Sequence, residues 1–109
     1  MDYRVNTPCG PLRGTAGRLP GIAAYKGIRY ARAGRWEYPV QVTSWEGEYD
    51  ASRYGNCCYQ PRAFYDEAQA PEKAFYYREF RQGEHYDYSE DCLFLNIWTP
   101  ENARIGDGR

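Results

Sequence analysis

The stretch of residues 89–100 constrains the fold of this chain more than any other part of it. It reads Ser-Glu-Asp-Cys-Leu-Phe-Leu-Asn-Ile-Trp-Thr-Pro, which is an acidic turn with a cysteine, an almost unbroken apolar run over 93–98, and a proline that stops the run. A strand that is apolar on both faces has to be covered on both faces. Only eleven residues follow Trp98, so we expect the cover to come from a larger molecule of which this chain is a part.

The composition favours a soluble globular protein. The chain has 109 residues, of which 42% are apolar and 27% are charged, and its formal net charge is −1. This balance gives no basic footprint for nucleic acid, and no run approaches the ~18 apolar residues of a membrane span. The first five residues lack the basic start and apolar run of a secretory signal, so a cytoplasmic location is expected. The 12 tyrosines suit half-buried loops and cleft walls, with a tyrosine-built recognition surface as the alternative.

The four cysteines do not have the spacing of a zinc site. No Cys-x-x-Cys pair exists, and the single histidine has no second one near it. A disulfide is the better hypothesis, although a reducing cytoplasm opposes it. The other possibility is that all four are small buried or half-buried thiols.

The hydrophobic pattern predicts several short strands and one helix. Proline at 71, Glu72 beside it and aromatic residues four apart favour a helix over 71–82. Large side chains from Trp36 to Trp45 are typical of a pinned loop, and residues 50–52 could open one helical turn. The predicted strands are 3–7 and 12–15 (a hairpin broken at 8–11), 22–31 with a kink at Gly27, 40–42, and 93–98.

No local constellation of residues indicates catalysis within this chain. His85 has Ser89, Asp87 and Asp91 nearby in sequence, but a catalytic triad is assembled in space, and no Gly-x-Ser-x-Gly elbow is present. Adjacent carboxylates at 66–67 and 90–91 more often cap turns or pair with arginines than transfer protons. We therefore predict no catalytic, cofactor-binding or metal-binding residue in the chain, and no cofactor.

The chain resembles the N-terminal part of the type-B carboxylesterase family, the cholinesterase-like branch of the α/β hydrolases. The segment 26–31 resembles the family's Gly-Ile-Pro-Tyr-Ala block, with Arg29 where proline is usual, and residues 89–100 match its Glu-Asp-Cys-Leu signature. Residues 5–14 and the pattern from Arg35 to Gln60 also match, whereas 61–88 is a loop region where family members differ. The resemblance implies an α/β class: an N-terminal fragment of the α/β-hydrolase fold, mainly antiparallel β with long loops and one short helix. Residues 1–109 would then be the N-terminal part of a carboxylesterase domain that continues beyond 109.

The resemblance also implies two structural pairs. The signature cysteine, here Cys92, is commonly joined by a disulfide to a cysteine before the loop, for which Cys58 is the better counterpart and Cys57 the runner-up. Arg35 and Glu90 match a family salt bridge, expected to be buried, that ties the base of the loop to the body. The family's oxyanion loop, serine elbow, acidic residue and catalytic histidine would all lie beyond Arg109. The loop tryptophan of cholinesterases has no counterpart in 58–92, so choline esters are not indicated. A possible aromatic cleft wall is formed by Tyr65, Phe75, Tyr76, Tyr77 and Phe80.

Three hypotheses for function follow. The leading one is a segment of a serine carboxylesterase, inactive by itself, whose partners are the remainder of the esterase polypeptide and a small ester substrate, with no nucleic acid and no membrane. The second is a non-catalytic interaction module on the cholinesterase-like fold. The third is a self-sufficient small β-rich binding protein, which would have to cover residues 93–98 from within.

Overall fold

The computed structural model describes residues 2–60, 72, 74, 75, 78, 86–104 and 106–108. Most of the predicted helix at 71–82 lies outside the described residues, although Ala74, Phe75 and Arg78 have helical backbone. No helix among the described residues has the length and apolar character needed to cross a bilayer. The strands are β1 (Arg4–Thr7), β2 (Gly10–Arg13), β3 (Thr15–Ala16), β4 (Ile22–Arg29), β5 (Ala31–Arg32), β6 (Val40–Gln41), β7 (Tyr49–Asp50) and β8 (Phe94–Pro100).

The first sheet has the order β1-β2-β7. β1 and β2 form an antiparallel hairpin, and β7 joins β2 in parallel through Leu12 and Tyr49. The Thr7 hydroxyl closes the hairpin turn, because it donates to the Gly10 carbonyl at 2.7 Å and accepts from the Cys9 amide at 3.2 Å. The turn is shorter than the predicted break at 8–11, since β2 already begins at Gly10.

The second sheet has the order β3-β4-β8, and all its pairs are antiparallel. The register of β4 against β8 shifts between Tyr25 and Ile28, around Gly27 with φ 65°. This bulge confirms the predicted kink. β4 ends at Arg29, so Ala31 lies in the separate two-stranded sheet of β5 and β6.

The core between the two larger sheets is small, and half of its buried cluster is alanine. The buried cluster comprises Leu12, Ala23, Tyr25 and Ala51, and no described polar residue is buried. Trp45 packs against this cluster and donates its indole N–H to the Pro11 carbonyl at 2.8 Å. Short side chains let the sheets approach closely, but they bury little apolar surface.

Strand β8 lies last in its sheet, with no described strand on its outer side. Three of its apolar side chains are exposed, Leu95 by 37%, Ile97 by 49% and Trp98 by 52%. The predicted run of 93–98 is therefore a strand, and the described part of the chain leaves it incompletely covered.

Two local predictions were wrong. Residues 50–52 do not open a helical turn: Asp50 ends β7, and Ser52 makes a parallel bridge to Lys26. The Asp50 carboxylate instead accepts the amide of Ser52 at 3.0 Å, a local bond that competes with helix. Trp36 does not pin its loop, since it is 96% exposed, whereas Trp45 does.

Candidate functional site

Four of the residues singled out from the sequence meet at the base of the 58–92 segment: Arg35, Cys58, Glu90 and Cys92. We call residues 56–60 and 86–92 together the loop base. Cys57 and Tyr88 form a parallel bridge, in which the Cys57 amide donates to the Asp87 carbonyl at 2.7 Å and the Ser89 amide donates to the Cys57 carbonyl at 3.0 Å. Tyr59 stacks on Tyr88 with 6.2 Å between ring centroids. The two ends of the segment are therefore held side by side by backbone bonds and one ring contact.

The loop base brings Cys58 and Cys92 together. Burial raises the pKa of the Cys92 thiol, and so do the neighbouring Cys58, which shares a hydrogen bond with it, and Asp91. The Gln60 amide group donates to Cys58 Sγ at 3.1 Å. All four cysteines are free thiols, so the Cys58–Cys92 disulfide stays a prediction. A raised pKa leaves less of a thiol in the thiolate form, which is the form that reacts as a nucleophile.

The structure pairs Arg35 with Glu90, and the pair is exposed. Arg35 Nε lies 2.5 Å from Glu90 Oε1, and the two side chains are 66% and 54% exposed. The expectation of a buried pair is thus not met in the described residues. Exposed ion pairs contribute about 0–1 kcal/mol to stability, because water competes with the partners.

A second arginine pair, between Arg29 and Asp91, was not predicted. Two guanidinium nitrogens of Arg29 donate to the two carboxylate oxygens of Asp91, and the Nη2–Oδ2 distance is 2.7 Å. The Arg29 side chain is only 15% exposed, and its guanidinium lies over the Phe94 ring, 4.5 Å from the centroid. This hydrogen bonding lowers the pKa of Asp91 and raises that of Arg29. The unusual arginine at 29 was visible in the sequence, but nothing there indicated its partner.

No catalytic triad is assembled in the described part of the chain. His85 lies outside the described residues, and Asp91, a possible orienting acid, is engaged by Arg29. The Ser89 hydroxyl accepts the amide of Asp91 at 3.0 Å, as in a turn. No group of three or more His, Cys, Asp or Glu among the described residues could hold a metal ion.

The proposed cleft wall is described at one position only. Phe75 is 64% exposed, and the Arg78 guanidinium lies 5.8 Å from its ring centroid. The other candidates lie outside the described residues: Tyr65, Tyr76, Tyr77 and Phe80.

A groove of ≈ 550 Å³ lies between the two larger sheets. Its apolar lining includes Leu12, Ile28 and Ile97 from β2, β4 and β8. Among its charged lining residues, Glu101 accepts a hydrogen bond from the Tyr3 hydroxyl at 3.0 Å. Such a groove can receive apolar side chains, but it offers no nucleophile paired with a base.

Comparisons of sequence and of structure match this chain to known proteins. The sequence profile of the carboxylesterase family matches residues 1–108. An acetylcholinesterase of Leptinotarsa decemlineata is 32% identical over an alignment of 107 residues, which covers 93% of this chain and 16% of that protein. A solved PNB esterase superposes with a TM-score of 0.64 at 30% identity, over 90% of this chain and 18% of its own. An esterase from anaerobic Clostridium hathewayi, described as able to hydrolyze aliphatic aromatic polyesters, gives a TM-score of 0.59 at 36% identity, over 88% and 17%.

These matches bear on fold and family together. Both solved structures are esterases of the α/β-hydrolase fold, and the described strands correspond to a fragment of that fold with almost no helix. The chain spans about a sixth of the length of the relatives it matches. A match over nearly the whole chain shows that it belongs to the carboxylesterase family.

Proposed function

We propose that this chain is the N-terminal segment of a serine carboxylesterase and contributes no catalytic residue to it. The observation that carries the proposal is the incomplete cover of β8. This strand lies last in its sheet, and its apolar side chains Leu95, Ile97 and Trp98 are exposed. Unpaired strand edges and exposed apolar side chains are features that proteins ordinarily cover. The further length of the matched esterases offers such a cover.

In the whole protein, the reaction would be hydrolysis of a carboxylic ester. An activated serine in the remainder of the polypeptide would attack the ester carbonyl, and backbone amides would stabilise the oxyanion. Water would then release the acyl group from the serine. The residues of this chain would support the first strands of the sheet. They would also hold the loop base beside the substrate entrance, where the loop base would shape the entrance and exclude water.

The test compares two proteins under the same conditions. The polypeptide that carries this chain should hydrolyse a short-chain aryl ester and should be labelled on one serine by a fluorophosphonate, whereas residues 1–109 alone should do neither. Labelling within residues 1–109 would overturn the assignment of chemistry to the remainder. A whole protein that binds esters without turnover or labelling would overturn the esterase and favour a non-catalytic member of the family.

A further inference from the structure

Every polar group of Asp91 has a partner, and the partners come from separate parts of the chain. Its carboxylate accepts two bonds from Arg29 on β4. Its carbonyl accepts the side-chain amide of Asn56 at 3.1 Å, and its own amide donates to the Ser89 hydroxyl at 3.0 Å. Asp91 therefore connects β4, the residues before the loop and the acidic turn after it.

Contacts with Phe94 and Tyr49 restrict Arg29 independently of its bond to Asp91. Its residue faces Phe94 in the β4–β8 register, and its guanidinium packs over the Phe94 ring. Its backbone amide donates to the Tyr49 hydroxyl at 3.1 Å. A side chain held along its length loses little further freedom when it forms a two-pronged bond, and such charge-assisted bonds are among the strongest in proteins.

Besides the Cys57–Tyr88 bridge, the other side-chain contacts of the loop base are weaker than the Arg29–Asp91 pair, in which Arg29 is 15% exposed and Asp91 51% exposed. The Arg35–Glu90 pair is mostly exposed, and the four thiols are free. Cys92 directly follows Asp91 in the chain, so whatever fixes Asp91 also fixes the backbone from which the Cys92 thiol projects toward Cys58.

We propose that Arg29, acting through Asp91, is the positioning residue of the loop base, and that it holds this base in place whether or not Cys58 and Cys92 are joined. For the esterase, which rests on the proposed function, the consequence concerns the substrate entrance. Loss of the Arg29–Asp91 bond should raise KM and leave kcat nearly unchanged, because the chemistry lies elsewhere.

The primary test is amide hydrogen exchange of the peptide that contains residues 86–92, in the polypeptide that carries this chain. Arg29→Gln should accelerate exchange of this peptide by about tenfold or more, since the strongest of the side-chain bonds that hold it is lost. Arg29→Lys should give an intermediate rate, because an ammonium cannot form the two-pronged bond. The matched control Arg35→Gln should change the rate by less than about threefold, as expected for an exposed pair. Cys58→Ser, which removes the expected disulfide, should leave it within about twofold.

Coupling to Asp91 is tested with the double variant. Arg29→Gln combined with Asp91→Asn should exchange no faster than the faster of the two single variants, because both remove the same bond. In reduced Arg29→Gln protein, alkylation of Cys92 should accelerate together with the exchange of this peptide. Alkylation of Cys9 in the N-terminal hairpin should not change, and it serves as the internal reference for global unfolding.

Three results would overturn the proposal. One is unchanged exchange in Arg29→Gln, whatever the rate in Cys58→Ser. Another is additive acceleration in the double variant, and the third is equal acceleration at Cys9 and Cys92. None of these readouts requires activity, so a missing esterase reaction would leave them intact.

Discussion

The Tyr49 hydroxyl donates a hydrogen bond to the Gly27 carbonyl at 2.6 Å, across the bulge of β4. The same oxygen accepts the Arg29 amide at 3.1 Å, so one side chain pairs with two backbone groups beside the bulge. The Tyr49 ring also packs against Trp45, with 5.0 Å between centroids. The bulge is thus tied to the strand β7 and, through Trp45, to the first hairpin.

Removal of this hydroxyl should destabilise the protein. In Tyr49→Phe the ring contacts remain, but two half-buried backbone groups lose their partner, which costs about 1–3 kcal/mol. Chemical denaturation of the polypeptide that carries this chain measures the change. Tyr38→Phe is the matched control, because Tyr38 is 95% exposed, and it should be neutral. Equal effects of the two variants would show that the hydroxyl bridge contributes nothing specific.

Alanine substitutions at Gly27 and Gly47 together distinguish the cost of an unfavourable backbone conformation from the cost of steric crowding. Both have φ near +65°, 65° at Gly27 and 67° at Gly47, so alanine should cost about 1–2 kcal/mol at either, because a Cβ is disfavoured in this left-handed region. A Cβ at 27 would also lie 2.3 Å from the Arg53 carbonyl oxygen, whereas a Cβ at 47 would meet nothing within 4 Å. Gly27→Ala should therefore be the more destabilising by about 2 kcal/mol or more, as found for forced overpacking. Equal unfolding midpoints for the two variants would contradict this reading.

Acid should weaken the arginine pairs. Hydrogen bonds from Arg29 and Arg13 lower the folded-state pKa of Asp91 and Glu48 respectively. A lowered pKa means that the folded state binds fewer protons, so the stabilisation is complete above the unfolded pKa values of about 4 and is lost as pH falls through the folded ones. The difference in unfolding free energy between the unaltered protein and Asp91→Asn should be constant from about pH 5 to 8 and shrink below about pH 4. A difference that does not vary with pH would count against the Arg29–Asp91 pair. As a control, the effect of Asp91→Asn measured in the Arg29→Gln background should lose most of its dependence on pH.

Whether the rest of the esterase covers β8 can be tested with Ile97→Ser, both in the whole protein and in residues 1–109 alone. If the rest of the esterase packs on this strand, Ile97→Ser should cost the whole protein about 2–4 kcal/mol, as for a buried aliphatic residue. Val40→Ser is the control, because Val40 is 70% exposed and lies on the separate β5–β6 sheet. Residues 1–109 alone should bind a hydrophobic dye, and Ile97→Ser should reduce that binding. The idea of a covering segment is wrong if Ile97→Ser leaves the stability of the whole protein unchanged, or if residues 1–109 alone do not bind the dye.

The cysteine pairing gives the last prediction. Under oxidising conditions, peptide mapping should find Cys58 joined to Cys92, and Cys57→Ser should leave this bond in place. The two positions lie 34 residues apart, so closure should add roughly 3–4 kcal/mol in the chain-entropy model. Denaturation with and without a reductant measures this difference. A Cys57–Cys92 peptide would reverse the assignment.

The sequence predicted the elements that depend on local pattern. The apolar run of 93–98, the kink at Gly27 and the first hairpin all follow from alternation and turn residues. The parallel pairing of β2 with β7 and the Arg29–Asp91 pair could not be predicted in the same way, because they join residues far apart in the chain. Arg35–Glu90 was anticipated only through resemblance to a family, and its exposure could not be inferred from residue types. Asp50 was misread because its capping bond to Ser52 is equally compatible with a turn that follows a strand.

The pairing of β4 with β8 also sets an order of events during synthesis. Gly27 meets its partner Asn96 only after another 69 residues have been translated, and ribosomes add roughly 5–20 residues per second, a delay of about 3–14 s. During that interval the nascent polypeptide presents β4 without its long neighbour. Until β8 leaves the exit tunnel, one edge of β4 therefore has no strand with which to pair.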